Sequence, residues 1–518
     1  MVILEVCSLR RIFILLLIIS LAILFAMCLF LTTSQASDIK SGSILTFGAE
    51  NEFAGFEVLK SGSRMAINGS IAANTIMEPL FRMDDNDELI PALGLSAALS
   101  DDGKLWTITL RKGVVFHDGT PFNADAVVDH WSRMLDPKNK FPGRLAMSVI
   151  SSVEKKGDDT VLFRLKHDWL PFKKGISSSR GLMGLIPSPK AVAEGYQDRS
   201  PVGTGPFRFK EWISGEKFVV EKNPDYWKKG TPLLEAIVFK PIPDSQTRYA
   251  GLKGGQLDMI WTDIGNIINN AGKDDTLEVY ESNGNGAEIF ILNTRVPPLN
   301  DIRVRQALAH ANNQEYQVKI VYDSSIPIVH HPFGTNFKCE NDGYRNYNPE
   351  KAKKLLSGVS APLELECLHS NSGRGREIGE ITQQLMKEVG VNIKPLGLNF
   401  GPVIQKVMSG DYQISTWRIL SMADQGASLY RAFHSESKGN NSGYKNPEMD
   451  ALLNAQAVET DPLKRDAILC DIARLINRDV PIIYRGGMRD HIIAKKTVVG
   501  VSSFSHGVIL FNDVLINR

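Results

Sequence analysis

Residues 110–136 read LRKGVVFHDGTPFNADAVVDHWSRMLD, a turn followed by the start of a helix. Asn123 is a good N-cap residue, and apolar side chains follow it at helical spacing, which predicts a helix over residues 124–135. Just before the turn, residues 106–110 alternate apolar and polar side chains, which predicts a half-buried strand. The stretch is therefore a strand–turn–helix unit.

Outward from this stretch, short strands alternate with helices along the chain, which predicts the α/β fold class. The other predicted elements are strands at 44–49, 160–165, 207–209 and 391–396, and helices after Asp301 and over 349–356, 377–388 and 463–478. A chain of 518 residues exceeds one ordinary domain, so two or three are expected.

The N-terminus has the composition of an export signal. Two arginines precede an almost uninterrupted apolar run over residues 12–31, and TTSQAS follows it. This pattern favours a signal peptide, residues 1–36, cleaved after Ala36. An uncleaved membrane anchor and a lipoprotein processed at Cys28 are the alternatives. Each of the three places the rest of the chain in the periplasm or elsewhere in the cell envelope.

Charge argues against some partners. The chain has 59 basic and 58 acidic residues, and removal of the leader leaves 57 of each. A neutral chain has no long-range attraction for nucleic acid, so nucleic-acid binding is not expected.

Three cysteines follow the leader, at Cys339, Cys367 and Cys470. They are widely spaced and form no CxxC pair, so neither a zinc site nor a redox motif is indicated. The sequence favours three buried, unreactive thiols over one disulfide with a spare thiol, although an oxidising compartment would permit the disulfide.

Five segments, in order, resemble the bacterial extracellular solute-binding protein family 5, whose members serve ABC importers of peptides, nickel complexes, glutathione, opines and sugars. They are residues 110–136, PVGTGPF at 201–207, NPDYW at 223–227, RYAGLKGGQLD at 248–258 and DIRVRQAL at 301–308. The resemblance implies a monomeric binding component without a cofactor, which delivers a small solute to an ABC permease in the cytoplasmic membrane.

Within these segments, several residues have structural interpretations of their own. Gly203 and Gly205 allow close approach of two chain segments. His117 is interpreted as a hydrogen-bonding turn residue, and 225–227 as packing and turn residues.

The resemblance also implies the periplasmic-binding-protein fold, with two lobes around a hinged cleft. Domain I would comprise residues 37–81, 193–285 and 480–518, and the inserted domain II, 82–192, would belong to the same lobe. Domain III, 286–479, would form the opposite lobe. A hinge between the lobes would let a ligand stabilise the closed state, which the permease reads.

In dipeptide-binding relatives, an arginine at the start of one helix binds the ligand carboxylate. The alignment places Arg376 there, with Arg374 two residues earlier. A guanidinium suits this task because it is planar, always charged and able to bind a carboxylate through two bonds. Trp417 and Arg418 alternate on a strand, so only one of them is expected to face the cleft directly.

The amine-binding position departs from that pattern. The alignment places Leu420 where those relatives have aspartate, and Asp424 follows four residues later. A buried ammonium without a carboxylate costs several kcal/mol, so an amine-free or N-acylated ligand is expected to bind better than a free-amine dipeptide. The resemblance also places 50–53 and 484–485 near the cleft.

A nickel or metallophore importer component is the main alternative. His330 and His331 are the one adjacent histidine pair, but adjacent side chains diverge and make a poor chelate. No protein metal site is expected, whereas a metal inside an organic chelator would need no histidine cluster.

A secreted serine hydrolase is a third hypothesis for the function of the chain. Residues 152–155 and 435–438 both fit S-x-x-K, but no SDN or KTG partner accompanies them. The chain also has no GxSxG, HExxH or Walker A motif. The sequence therefore predicts a binding protein and not an enzyme.

Overall fold

The structure, a computed structural model, describes most of the chain after the leader. The described residues are 43–517 apart from 61–66, 85–87, 142–143, 145–146, 170, 178–182, 283–285, 334–336, 341, 360–361, 421–423, 502–503 and 506. The predicted signal peptide lies outside them. No described helix has the length and apolarity that a membrane span requires.

Three larger sheets organise the described chain, and three two-stranded pairs accompany them. The seven-stranded sheet contains β1 (Ile44–Ala49), β8 (Phe207–Ile213), β9 (Lys217–Lys222), β10 (Ala236–Pro241), β11 (Met259–Thr262), β12 (Leu277–Ser282) and β18 (Asp490–Lys495). The five-stranded sheet contains β13 (Gly286–Leu292), β14 (Leu363–Ser370), β15 (Val391–Leu398), β16 (Ile414–Leu420) and β17 (Ile482–Gly487). The four-stranded sheet contains β4 (Gly94–Leu99), β5 (Leu105–Leu110), β6 (Ile150–Lys155) and β7 (Thr160–Leu165). The pairs are β2 (Phe81–Met83) with β3 (Leu89–Pro91), β19 (Val498–Val499) with β22 (Leu515–Ile516), and β20 (Phe504–Ser505) with β21 (Val508–Ile509).

The helices alternate with these strands. They are α1 (Ile67–Ile76), α2 (Ala124–Leu135), α3 (Phe172–Gly175), α4 (Pro189–Ala193), α5 (Ser245–Lys253), α6 (Gly265–Ala271), α7 (Ile302–Ala311), α8 (Gln314–Val321), α9 (Pro349–Leu356), α10 (Gly373–Lys387), α11 (Phe400–Ser409), α12 (Gln425–Phe433), α13 (Pro447–Val458) and α14 (Pro462–Asp479). The predicted α/β class is confirmed.

The buried cores divide the molecule into two lobes. One continuous core joins the seven-stranded and four-stranded sheets, which together form the first lobe. Two other cores pack against the five-stranded sheet, which with α7–α14 forms the second lobe. The two-lobed arrangement expected from the resemblance is confirmed.

Most predicted elements have the expected bounds. Strands β1 and β7 and helices α2 and α9 match their predicted ranges. Asn123 caps α2 by accepting a hydrogen bond from the Ala126 amide, and Asp301 caps α7 in the same way. Local capping and apolar periodicity were sufficient at these positions because neither depends on distant parts of the chain.

Helix α10 begins four residues before its predicted start at Glu377. Glycine is a poor helix former, so the sequence around residues 373 and 375 did not predict the first turn of this helix. Ser372 overcomes this by capping the helix, because its hydroxyl accepts a hydrogen bond from the Gly375 amide at 3.1 Å. The arginines at 374 and 376 therefore both lie within the first turn.

The predicted domain boundary between residues 479 and 480 stays a prediction. Strand β17 follows it, yet β17 pairs with β13 in the five-stranded sheet of the second lobe. The chain returns to the first lobe only between Gly487 and Asp490, where β18 begins.

The expectation of three buried thiols is also wrong. Cys339 and Cys470 form a disulfide with their Cα atoms 5.4 Å apart, and Cys367 is a buried free thiol. The two bonded cysteines are 131 residues apart in sequence. Their proximity depends on the folding of the second lobe, which spacing in the sequence does not reveal.

The signature turn attaches to the glycine loop of PVGTGPF. The His117 amide donates to the Gly203 carbonyl at 2.9 Å, and His117 Nε2 lies 3.0 Å from the Gly205 carbonyl. Burial lowers the pKa of His117 to about 4, so the ring is neutral at physiological pH. A Cβ at either glycine would overlap the backbone near Ile76. The close-approach interpretation of the glycines is confirmed, as is the hydrogen-bonding role of His117.

The NPDYW segment has a partner in Glu78, which is buried. The Glu78 carboxylate accepts hydrogen bonds from the Tyr226 hydroxyl and the Trp227 indole, both at 2.8 Å, and from the Thr204 hydroxyl at 3.0 Å. Arg82 donates to it at 3.3 Å. Two of the family-like segments are therefore held by a single carboxylate.

We expect Glu78→Gln to lower the free energy of unfolding by about 2–3 kcal/mol, because an amide provides one acceptor oxygen and leaves Arg82 without a buried counterion. Urea unfolding of the two proteins measures this difference. Glu88→Gln, at an exposed site, is the control and should change little. A loss below about 0.5 kcal/mol at Glu78, the range of ordinary surface substitutions, would contradict this role for the network.

Candidate functional site: a charged cluster between the lobes

The chain crosses between the two lobes at two neighbouring places, after β12 and after β17. The Met488 amide donates to the Gly286 carbonyl at 3.2 Å, which holds the two crossings together. Arg489 forms an ion pair with Glu281 at 2.7 Å beside them. A pair of adjacent crossings permits the lobes to rotate about them, so the facing surfaces of the lobes form the cleft.

Charged side chains from both lobes meet in this cleft. Glu50, Asp263 and Arg248 come from the first lobe, and Glu288, Arg374, Arg418 and Arg485 come from the second. Asp490 of the first lobe is buried and lines the same cavity as Asp263, Glu288 and Arg418. Four guanidinium groups therefore face four carboxylates, so the cluster is close to balanced in charge and an anion would be bound by particular arginines.

Asp263 connects the lobes. It follows β11 directly, and its carboxylate forms ion pairs with Arg374 and, at 3.1 Å, with Nη2 of Arg418. Burial alone would raise the pKa of Asp263, but Arg374, Arg418 and Arg248 lower it below its ordinary value. Asp263 is therefore ionised at neutral pH and is neutralised by the arginines of the opposite lobe.

Glu288 organises the second-lobe side of the cluster. Nε of Arg418 lies 2.6 Å from one Glu288 oxygen, and Nη2 of Arg485 donates to the other at 2.7 Å. Arg485 also donates to the Tyr322 hydroxyl at 2.7 Å, and Arg374 lies 5.7 Å from the centre of the Tyr322 ring. The arginines are thus oriented by groups of their own lobe, which pre-positions them for an anion.

Glu50 occupies a less favourable environment. It follows β1 and is half-buried. Burial raises its pKa above the ordinary value, and the neighbouring Asp263 raises it further, although Arg374, Arg248 and Arg418 act in the opposite direction. A cation or hydrogen-bond donor near Glu50 would relieve this strain between two carboxylates.

The lobes are closed over the cluster. A cavity of ≈ 10 Å³, lined in part by Trp261, Asp263, Tyr322 and Arg418, lies beside it. This volume holds about one water molecule. A ligand larger than water therefore does not fit in this cavity unless the surrounding side chains move.

The structure divides the predicted ligand residues into two groups. Arg374 and Arg418 lie in the cluster. Arg376 is exposed, and its Nη1 donates to the Asn371 carbonyl at 2.5 Å. Trp417 is half-buried and packs against a core of the second lobe, whereas its neighbour Arg418 faces the first lobe.

Asp424 has partners within the second lobe. Its side chain caps α12 by accepting a hydrogen bond from the Ala427 amide at 2.9 Å, and Arg465 donates to both of its oxygens at 2.8 and 3.1 Å. These bonds use the carboxylate to hold α12 and α14 together. The structure does not bring Asp424 into the cluster.

The sequence reasoning missed Asp263 and Glu288, although it placed Glu50 and Arg485 near the cleft. One signal was available, because Glu50 and Asp263 directly follow β1 and β11, which pair in parallel. In open α/β sheets, ligand sites lie outside the carboxyl ends of such strands. An acidic residue directly after each of these strands was therefore a reason to include both Glu50 and Asp263 among the candidate ligand residues.

Comparison with known proteins agrees with this architecture. The family described as bacterial extracellular solute-binding proteins, family 5 Middle, matches residues 88–441. A glutathione-binding protein of Pectobacterium atrosepticum is 27% identical over 458 residues, which cover 85% of this chain and 88% of the relative. The oligopeptide-binding protein AppA of Bacillus subtilis is 25% identical over 530 residues, with 93% and 95% covered. The structure of the murein tripeptide binding protein MppA of Escherichia coli superposes with a TM-score of 0.85 at 21% identity, covering 92% of this chain and 99% of that one. The chain belongs to the bacterial extracellular solute-binding protein family 5.

Proposed function

We propose that this chain is the binding component of an ABC importer and that it captures a small peptide-like or other anionic organic solute between its lobes. The observation that carries the proposal is the pair Arg374 and Arg418 of the second lobe, which holds a carboxylate of the first lobe. An anionic group of a ligand, placed at the same pair, would contact the second lobe and lie beside Glu50 and Asp263 of the first lobe. Such a ligand favours the closed state because it binds that state more tightly.

The arginines suit this role better than lysines would. Each guanidinium presents several N–H donors in a plane, so two of them can surround a carboxylate or a similar anion. Glu288 and Tyr322 fix their orientation in advance, which reduces the entropy lost on binding. Trp417 stays a candidate for contacts with the remainder of a larger ligand.

The preference for an amine-free ligand needs revision. It rested on Leu420, whose side chain lies outside the described residues. Glu50 and Asp263 lie beside the arginine pair and belong to the opposite lobe. An ammonium group therefore has carboxylate partners available, and a ligand with both charges fits the proposed site.

The proposed partner is an ABC permease, and the proposed location is the cell envelope outside the cytoplasmic membrane. Family membership supports both. The Cys339–Cys470 disulfide supports the location, because disulfides persist mainly in oxidising compartments. Cleavage after Ala36 stays a prediction. We propose a monomer that binds no nucleic acid.

The nickel alternative receives no specific support. Among the described residues, no group of three or more His, Cys, Asp or Glu side chains is placed to hold a metal ion. His330 stacks on Tyr344 with ring centres 4.0 Å apart, whereas His331 packs near Phe333. The two imidazoles therefore have separate environments, and we do not propose a metal bound by this pair.

The hydrolase alternative is weakened by the partners of one S-x-x-K pair. The Ser152 hydroxyl donates to Glu154 at 2.7 Å, and Lys155 donates to Asp125 at 2.9 Å. A lysine paired with an acid is not positioned as a base for the serine. The relatives named above are solute-binding proteins, and we propose no enzymatic reaction.

The proposal is tested by thermal unfolding of the chain from Ser37 onwards with a panel of peptides, opines, oligosaccharides and nickel chelates. A ligand at a hundredfold excess over its Kd should stabilise the folded state by about 2.7 kcal/mol. The matched control is the same ligand with its carboxylate converted to an amide, which should lose most of this effect. Stabilisation only by neutral sugars, or equal effects of acid and amide, would contradict an anion-binding cleft.

A further inference from the structure

We propose that Asp263 is an internal latch, which occupies the arginine pair of the second lobe when no ligand is bound and thereby allows the empty protein to close. The inference rests on the proposed function, because it assigns Asp263 the place that a ligand anion takes in the same site. It adds a specific role for one first-lobe residue: competition with the ligand.

The geometry of Asp263 supports this role. Its side chain is 8% exposed and contacts Arg374 and Arg418, which both belong to the opposite lobe. Asp263 is the first-lobe carboxylate that forms these ion pairs in the described structure, whereas Glu288 neutralises the arginines from within their own lobe. The carboxylate of Asp263 thus connects the lobes in the way expected of a bound anion.

The charges of the arginines explain why closure of the lobes would require Asp263. Arg374 is 12% exposed in the closed cleft, and a buried cation without a counterion is strongly unfavourable. Glu288 contacts Arg418 and Arg485, whereas the carboxylate that contacts Arg374 is that of Asp263. Without Asp263, the closed state would leave the Arg374 guanidinium without this counterion until an anion arrived.

Displacing Asp263 from the arginine pair costs free energy, and this cost differs between classes of ligand. A ligand anion that takes the arginine pair leaves the Asp263 carboxylate in a buried site beside Glu50. A ligand that also carries a cationic group supplies a new partner for Asp263, whereas a purely anionic ligand does not. The latch therefore favours ligands with both charges over ligands with a negative charge alone.

A second contact between the lobes provides a control that changes the packing but not the charge. Helix α6 of the first lobe begins at Gly265, and a Cβ there would overlap the Tyr322 carbonyl of the second lobe. Asn269 of the same helix donates to the Asp323 side chain at 2.7 Å. Gly265→Ala should therefore hold the lobes apart while every charged group of the cluster is kept.

The test is small-angle X-ray scattering of the ligand-free chain from Ser37 onwards, refolded from denaturant to remove bound solutes. The radius of gyration of the wild type is expected to be about 23 Å, from the relation between radius and chain length for compact domains. Asp263→Asn and Asp263→Ala should increase it by the same amount as Gly265→Ala, on the order of 1 Å on that scale. Glu154→Gln, which removes an exposed ion pair with Arg164 in the four-stranded sheet, should leave it unchanged.

Addition of acetate distinguishes the loss of a negative charge in Asp263→Ala from the change of packing in Gly265→Ala. Acetate should return Asp263→Ala to the wild-type radius, because the small carboxylate fills the vacated place, and should not affect Gly265→Ala. Sodium chloride at the same ionic strength is the control.

Three outcomes would overturn the latch: an Asp263→Asn protein as compact as wild type, a wild type already as expanded as Gly265→Ala, or an expanded Asp263→Ala protein that does not respond to acetate. None of these measurements uses the transported solute. A failure of the panel of candidate ligands would therefore reject the proposed solute class without deciding the latch, and the scattering result decides the latch without the solute.

Discussion

Arg374→Ala is expected to weaken binding of the best ligand by about 3–5 kcal/mol, the usual cost of removing one partner from a buried charge pair. This corresponds to at least about a hundredfold increase in Kd. The reason is that Arg374 contributes half of the arginine pair and is 12% exposed in the closed state. Isothermal titration calorimetry with the strongest hit of the ligand panel measures the loss.

Arg376→Ala is the matched control, because it removes the same side chain two residues later on α10. Arg376 is exposed and bonds a backbone carbonyl, so we expect a change within about 0.5 kcal/mol, as for ordinary surface substitutions. Arg374→Lys should recover only part of the lost affinity, since an ammonium cannot reproduce the planar fork. A larger loss at Arg376 than at Arg374 would restore the assignment made by alignment alone.

The uncertainty between these two arginines has a physical origin. The alignment placed the carboxylate-binding arginine near a helix start, and the predicted helix began at Glu377. With the helix starting at Gly373, Arg374 and Arg376 differ by about 200° around the axis, so they point to different sides. The sequence identified the correct turn, but the side of the helix followed from the Ser372 cap.

The acids of the cluster were harder to predict for another reason. Asp263 and Glu288 are 25 positions apart in sequence numbering but lie on different lobes, and they approach each other beside the crossings between the lobes. Local patterns predicted β1, β7, α2 and α9 correctly, since capping and periodicity act within one element. No local pattern records which strands of two separate sheets face each other.

The largest expected effect on stability comes from the disulfide. Replacing both bonded cysteines, as Cys339→Ser/Cys470→Ser, should lower the free energy of unfolding of the second lobe. The bond closes a loop across 131 positions, for which the chain-entropy estimate is about 5 kcal/mol, within a usual range of about 2–5 kcal/mol for natural disulfides. Urea unfolding of the oxidised wild type and the double variant, followed by circular dichroism, measures the difference.

Cys367→Ala is the control for this experiment, because Cys367 is free and buried and closes no loop. Burial raises the pKa of its thiol to about 12, so the native protein should not react with thiol reagents at neutral pH. After denaturation without reductant, the chain from Ser37 should titrate one thiol, and after reduction it should titrate three. Reductant should destabilise the wild type by the same amount as the double substitution and leave the double variant unaffected. Three free thiols before reduction would show that the bond does not form, and the sequence-based expectation of three unreactive cysteines would then be correct after all.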